Sequence, residues 1–331
     1  MSTTKNAIVA ENLVRSFGPV RAVNNVSFEV PVGSVVGFIG ANGAGKTTTM
    51  RMLATLDQPD SGRALINGYD AAVYPDKIRD ALGWMPDSYG AYDGVTIVEY
   101  LDFYARALGF TKADRVARVK DVMDFTGLTP LAERMTNKLS KGQGQRLCLG
   151  RALIHDPAVM IMDEPAAGLD PQARVELKRL IRLLADEGKT IFISSHILAE
   201  LSEMCDSMLF INNGEIIHHG SAESLLHGAG AAITYRVQIA DSVDRIAAWC
   251  ETSPGVTLVE EIKGGVRLAL DHNEPSDAAA VLRRMVQDGL PVSEFHREAR
   301  KLEDAFIEML QSPAAAPPPL PPAAATATAD V

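Results

Sequence analysis

Little in this sequence points to disulfides, a metal cluster or a membrane span. Only three cysteines occur in 331 residues, Cys148, Cys205 and Cys250. They lie far apart, at no spacing that metal sites or redox pairs use, and are expected as core or near-core thiols of a reducing compartment. A run of about 18 apolar residues is lacking, so the chain is not expected to cross a bilayer itself. The opening MSTTKNAIVAENLVRSFG has no apolar h-region, so no signal peptide is expected. Basic excess is missing as well. Lys and Arg number 32 against 42 Asp and Glu, a formal net charge of −10, which argues against nucleic acid as the main partner, since phosphate backbones select a basic face.

What is present is the material of a globular chain long enough for two domains. Hydrophobic residues make up 47% and charged ones 22%. The N-terminal part is strand-rich: AIVAENLVRSF, NNVSFEVPVGSVVGFIG and SGRALINGYDA are short β-type runs broken by Gly, Pro, Asn and Asp, with a turn signal at Asn67-Gly68. From Thr96 to Ile154 the pattern is helical. Thr96 and Glu99 have capping-box spacing, Gly109 follows as a C-cap, and an amphipathic segment ends at Gly127. AVMIMDEP and KTIFISSH, separated by the helical PQARVELKRLIRLLADEG, form a β-α-β unit and hence part of a parallel sheet. After about Gly230 a β, α, β-hairpin, α, strand-plus-helix succession suggests a small separate α+β domain. From Ser312 the chain turns Pro/Ala-rich and is expected to be disordered or extended.

Three stretches carry chemistry. GANGAGKTT begins at Gly40, follows the apolar strand SVVGFI and leads into a helix. This is the phosphate-cradling G-x-x-x-x-G-K-[ST] pattern in its required context. Backbone N–H groups of Gly40, Ala41, Asn42, Gly43, Ala44 and Gly45 can wrap a phosphate. Lys46 should reach the terminal phosphates, and the Thr47 hydroxyl should ligate Mg²⁺. Thr48 completes the run. VMIMDEP ends an apolar strand on two acids: Asp163 would hold Mg²⁺ through water, and Glu164 is the candidate base that orients attacking water. Met160 and Met162 are core filling. His196 ends a strand of the same parallel sheet, where ligands gather at strand C-termini, and is expected against the γ-phosphate. A second cradle stands at LSKGQGQRLCLGRALI. There Ser140 can cap a helix, Lys141 is cationic, and Gly142 and Gly144 allow close backbone approach, so the helix N-terminus offers another anion site.

Together these pieces resemble the nucleotide-binding subunit of an ABC transporter. The resemblance covers roughly residues 5–225, through GANGAGKTT, LSKGQ, VMIMDEP, AAGLDP and SSHI in that order. It implies a P-loop α/β cassette with a mixed sheet core, an antiparallel β subdomain and a helical subdomain, followed by a small α+β C-terminal domain. The expected bounds are 5–228 for the cassette, 231–311 for the accessory domain and 312–331 for the tail. The resemblance also implies the use of the second cradle. Two cassettes pack head to tail, so Ser140, Gly142 and Gln143 would contact the ATP held by the partner copy. The implied cofactors are ATP and Mg²⁺. The implied partners are a second copy of the chain and a separate transmembrane permease, at the cytoplasmic face of the membrane.

Three departures from the family pattern stand out. Lys141 replaces the commonest glycine of the signature and adds a cation near the partner's γ-phosphate. Asp87, in LGWMPDSYG, stands where a glutamine is usual; its oxygen could still meet Mg²⁺, but it cannot donate as an amide does. Phe17 lies where many members stack an aromatic on adenine, although an aromatic near a strand also suits a core. The C-terminal domain and KLEDAFIEML resemble the extension of ABC-2-type exporters, which favours export. Two alternatives remain: a soluble ABC-type ATPase dimerising on nucleic acid, and a scaffold that binds ATP without useful turnover.

Overall fold

A computed structural model describes residues 6–88, 90, 92–221, 224, 234–240, 242–271, 275–298, 302 and 306. They fall into two compact units, one up to Ser221 and one within Ala222–Gln311. The change of character near residue 230 and the Pro/Ala-rich tail lie outside the described residues. So does most of the helix expected over 301–310.

The first unit opens with a long hairpin, β1 (Asn6–Phe17) and β2 (Val20–Pro31). Then come β3 (Val35–Ile39), α1 (Lys46–Leu53), β4 (Ser61–Ile66) and β5 (Tyr69–Asp70). β1, β2, β4 and β5 make an antiparallel sheet in the order β2-β1-β4-β5. The two-residue turn from β4 to β5 is Asn67-Gly68, with φ of +50° and +79°. Those left-handed angles match the twist of a tight hairpin and favour this residue pair.

Next are α2 (Pro75–Ala81), β6 (Leu82–Met85), α3 (Ile97–Ala107), α4 (Lys112–Phe125) and α5 (Lys141–Leu153). The expected capping box forms at Thr96, and a second one, not expected, forms at Ser140, where the sequence suggests only a cap. Thr96 and Glu99 open α3, and Ser140 and Gln143 open α5. The chain then returns to the sheet through β7 (Val159–Met162), α6 (Pro171–Asp186), β8 (Thr190–Ser195), α7 (Leu198–Ser202), β9 (Ser207–Asn212) and β10 (Glu215–Gly220).

The main sheet has the order β10-β9-β3-β8-β7-β6, parallel except for the β9–β10 pair. β3, β7 and β8 are buried at every position, as strands covered on both faces must be. Phe28 of β2 stacks between the two sheets on Phe192, with centroids 5.3 Å apart, and Phe192 on Phe38 at 5.1 Å. Burying each such ring contributes roughly 1.5–3 kcal/mol. Met160 and Met162 are fully buried, the filling role expected of them. Because β3, β8, β7 and β6 run parallel side by side, their C-terminal ends share one edge. That edge carries, in turn, Gly40, His196, Asp163 and Asp87.

The second unit is β11 (Thr234–Ile239), α8 (Val243–Thr252), β12 (Val256–Ile262), β13 (Gly265–Leu270), α9 (Pro275–Gln287) and β14 (Val292–Arg297). Its antiparallel sheet has the order β12-β13-β11-β14. This β-α-β-β-α-β succession is the split-βαβ arrangement. Tyr235, Val237, Ile246, Cys250, Leu268 and Met285 are among the residues of its own core.

Candidate functional site: a phosphate cradle at the sheet edge

β3 delivers the chain into the 40–45 loop, and glycines let it turn there. Gly43 and Gly45 have φ of +82° and +107°. A side chain at Gly45 would also strike the Ala22 carbonyl, and one at Gly40 the Ile211 carbonyl. Ala41, Asn42, Gly43 and Thr47 face solvent, while Ala44, Gly45 and Lys46 are buried and Thr48 is half-buried. Gly45 ends the loop at the N-terminus of α1, where free N–H groups and the helix dipole favour an anion.

Lys46 donates to the carbonyls of Gly40 (2.7 Å) and Ala41 (3.2 Å). Its ammonium also lies 3.3 Å from Glu164 Oε1, a charge contact without hydrogen-bond alignment. Thr47 Oγ1 donates to Asp163 Oδ2 at 2.7 Å. Asp163 is 2% exposed. Its other oxygen accepts from Ser194 Oγ at 2.7 Å. Ser194 Oγ in turn accepts the backbone N–H of Glu164 at 2.8 Å. Glu164 sits at φ +48°, a conformation costly for a side chain of its size. In that pose Glu164 Oε2 lies 2.7 Å from His196 Nδ1.

Lys46, Thr47, Asp163, Glu164 and His196 are therefore brought together, and Ser194 with them. Ser194 opens the SSHI run, but the run alone gives it no role, because its partners reach it only through the pairing of β7 with β8. The donor set fits a hard divalent cation: a hydroxyl and a carboxylate oxygen side by side, with two carboxylates against one lysine. Among the described residues no three His, Cys, Asp or Glu side chains cluster as metal ligands. A cation held by Thr47 and Asp163 would complete its shell with phosphate oxygens and water.

Among the described residues, the other expected ones share no hydrogen bond or ion pair with this cluster, although Asp87 stands beside Asp163 on the sheet edge. Ser140 and Gln143 satisfy each other, with Ser140 N donating to Gln143 Oε1 at 3.0 Å and Gln143 N to Ser140 Oγ at 3.3 Å. Gly142 packs against α6 so closely that an added Cβ would lie 2.7 Å from Ala173 Cβ. The Lys141 ammonium covers Gly168, where an added Cβ would lie 2.5 Å from Nζ. No hydrogen bond among the described residues joins Ser140 or Gln143 to the 40–48 loop.

Asp87 is exposed after β6. It is anchored through its backbone carbonyl, which accepts from Gln145 Nε2 of α5 at 3.0 Å. Gln145 is 2% exposed, and it is a further residue the sequence did not single out. Phe17 is 49% exposed, which excludes the core alternative. The Arg15 guanidinium backs its ring at 4.8 Å and is itself held by Asp57 at 2.8 Å and Asp60 at 2.9 Å.

A parallel sheet whose strand ends present this lysine, threonine and acid pair defines a P-loop nucleotide-binding cassette. Comparison with known proteins narrows the class. The family model described as ABC transporter matches residues 23–167. The ABC transporter ATP-binding protein NatA of Bacillus subtilis is 38% identical over 207 residues, 62% of this chain and 84% of NatA. The Nod factor export ATP-binding protein I of Ralstonia nicotianae is 30% identical, over 90% of this chain and 92% of the relative. Among solved structures, cbiO1 of Clostridium perfringens, part of the ABC transporter complex cbiONQ, has 25% identity and a TM-score of 0.62, covering 68% of this chain and 92% of that one. The chain belongs to the ABC transporter family, as an ATP-binding subunit with ATPase activity. No helix among the described residues is long and apolar enough to cross a membrane.

Proposed function

We propose that this chain works as one of two copies that close on ATP and drive export through a separate membrane permease. The observation that carries the reading is a second capped helix N-terminus that, among the described residues, shares no hydrogen bond with the phosphate cradle. One end of the sheet gathers Lys46, Thr47, Asp163, Glu164 and His196. The capped N-terminus of α5, with Ser140, Gly142 and Gln143, is joined to that loop by no hydrogen bond among the described residues. A second copy turned head to tail supplies what each half lacks. Export is supported by the Nod factor export relative, whose match runs through both units of this chain.

In this reading the backbone of residues 40–45 and the Thr48 side of α1 hold the phosphates, and Phe17 stacks on adenine. Thr47 and Asp163 would hold Mg²⁺, with Asp87 as a further oxygen donor. When bound, the ion would offset phosphate charge. A terminal phosphate in the cradle competes with the Gly40 and Ala41 carbonyls for the Lys46 ammonium. Drawing Lys46 away leaves Glu164 Oε1 to accept a proton from water. His196 Nδ1 keeps Glu164 Oε2 in place, and its exposed ring turns toward the γ-phosphate. Ser140 and Gln143 then close over the partner's nucleotide. The membrane-facing side of the assembly would meet the permease at the cytoplasmic face.

Glu164→Gln tests this directly. The amide keeps the shape but cannot take a proton, so the variant should bind ATP, hydrolyse it at least about 100-fold more slowly and accumulate a dimer. Gel filtration with ATP and Mg²⁺ reads the dimer. A variant that stays monomeric while hydrolysing normally would sink the reading.

A further inference from the structure

Among the described residues only three ionisable side chains of Lys, Arg, Asp or Glu are buried: Lys46, Asp163 and Glu200. The first two belong to the cradle. Glu200, on the short α7 helix, is 5% exposed and has no part in the chemistry outlined above. Burying a carboxylate is expensive unless it is paired and hydrogen-bonded, so its partners show what its burial secures.

Both oxygens lead toward the site. Oε2 accepts from Ser195 Oγ at 3.2 Å, and the same hydroxyl accepts the N–H of Ile197 at 3.0 Å. Ser195 and Ile197 flank His196, so these bonds set the turn that carries the imidazole. Oε1 lies 3.0 Å from Arg174 Nε, an ion pair without hydrogen-bond alignment. Arg174 Nη2 reaches back to the Leu169 carbonyl at 3.4 Å. Leu169 belongs to the loop between Glu164 and α6, whose Gly168 is covered from the other side by the signature residue Lys141. A polar path thus runs from Leu169 through Arg174, Glu200 and Ser195 to the turn carrying His196 and on to Glu164, with Lys141 packed over the neighbouring Gly168.

We propose that Glu200 is a positioning residue for hydrolysis: held by Arg174, it fixes the Ser195–Ile197 turn so that His196 meets Glu164. The path makes the His196–Glu164 contact depend on the loop at Ala166–Asp170, and so on whatever docks against that loop and Lys141. This rests on the roles proposed above for Glu164 and His196.

The test is steady-state ATPase kinetics of the full chain. Glu200→Gln keeps an acceptor for Ser195 but drops the charge. Arg174→Met removes the tie while leaving Glu200 in place, and serves if the first variant folds poorly. In each, kcat should fall about 10- to 100-fold while KM for ATP stays within about threefold, because the cradle is untouched. Arg174→Lys, which keeps the cation, should recover part of the loss. In a His196→Ala background, Glu200→Gln should cost no more than a further twofold or so, since it acts only through the imidazole. A role in stability alone would multiply through both backgrounds, and that result, or a normal kcat in Glu200→Gln and Arg174→Met, overturns the proposal. Full activity in His196→Ala alone would instead overturn the assignment of the histidine, so the two failures are distinct.

Discussion

Ser194→Ala is the most searching single test of the acid cluster. The hydroxyl is fully buried and serves two groups at once, donating to Asp163 Oδ1 at 2.7 Å and accepting from Glu164 N at 2.8 Å. Alanine leaves a buried carboxylate oxygen short of its donor and a backbone N–H short of its acceptor. An unsatisfied buried group costs about 1–3 kcal/mol, so the pair should cost about 3 kcal/mol after relaxation. For a domain of this size that is a fall in melting temperature of roughly 6–12 °C. Activity should fall with it. The N–H bond to Ser194 is one of the contacts that hold Glu164 at φ +48°; without it the backbone can relax and draw the carboxylate away from His196. A loss of about tenfold or more in kcat is expected, with ATP affinity little changed. Calorimetry of the cassette transition and an ATPase assay read the two effects. Ser194→Thr keeps the hydroxyl and separates hydrogen bonding from space. If Ser194→Ala melts within a degree of wild type and turns over normally, the bonds drawn here do not hold the acids. If Ser194→Thr falls as far as Ser194→Ala, packing rather than hydrogen bonding is at work.

What the sequence disclosed and what it hid divide along one physical line. Features fixed within a few residues were legible. The glycines of the 40–45 loop, the Thr96 capping box, the Ser140 cap and the Asn67-Gly68 turn depend on local geometry, and all form; the β-α-β unit around α6, read from its run of strand, helix and strand patterns, forms as well. Side chains whose partners arrive through strand pairing or helix packing showed no role locally, even where, as with Ser194 in SSHI, they lay inside a recognised run. Ser194 meets residues about thirty positions earlier, Gln145 meets Asp87 across 58 positions, and Glu200 meets Arg174 between two helices. No element was expected between Ile197 and Gly220, where α7, β9 and β10 stand. The run SMLFIN is short and buried over most of its length, so its periodicity does not distinguish strand from helix. Phe17 was ambiguous for a related reason: whether an aromatic at a strand end packs inward depends on what lies across the sheet.

Lys46→Ala should lose ATP affinity in the isolated chain, whereas Ser140→Arg should spare affinity and abolish turnover; mixed, the two should restore at most one composite site per dimer. Equal loss of monomer ATP binding in both would contradict shared sites. His155 gives a pH dependence. Burial pulls its pKa below the usual value, against a bond from Nε2 to the Leu82 carbonyl. The folded chain therefore binds fewer protons than the unfolded one just below pH about 6.5. The stability it contributes is full above that pH and is lost as pH falls through the depressed folded value. His155→Gln should flatten part of that slope in melting curves, though not all, since burial shifts His218 and His219 the same way; an unchanged slope would exclude His155 as a source. Asp87 offers the last test, and the structure sharpens it. The carboxylate is exposed, but the backbone at this joint is tied to the signature helix by Gln145. Coupling to the permease can therefore run through the carboxylate, which meets the nucleotide side only in one state, or through the backbone, which moves with α5. Only a contact that differs between states shifts their balance. We expect Asp87→Gln to leave basal ATPase within a few-fold and to change stimulation by reconstituted permease, and Asp87→Ala to uncouple more severely. Gln145→Leu frees the carbonyl while leaving the acid in place. If both Asp87 variants are stimulated like wild type while Gln145→Leu is not, the joint couples through its backbone and the acid has no part in it.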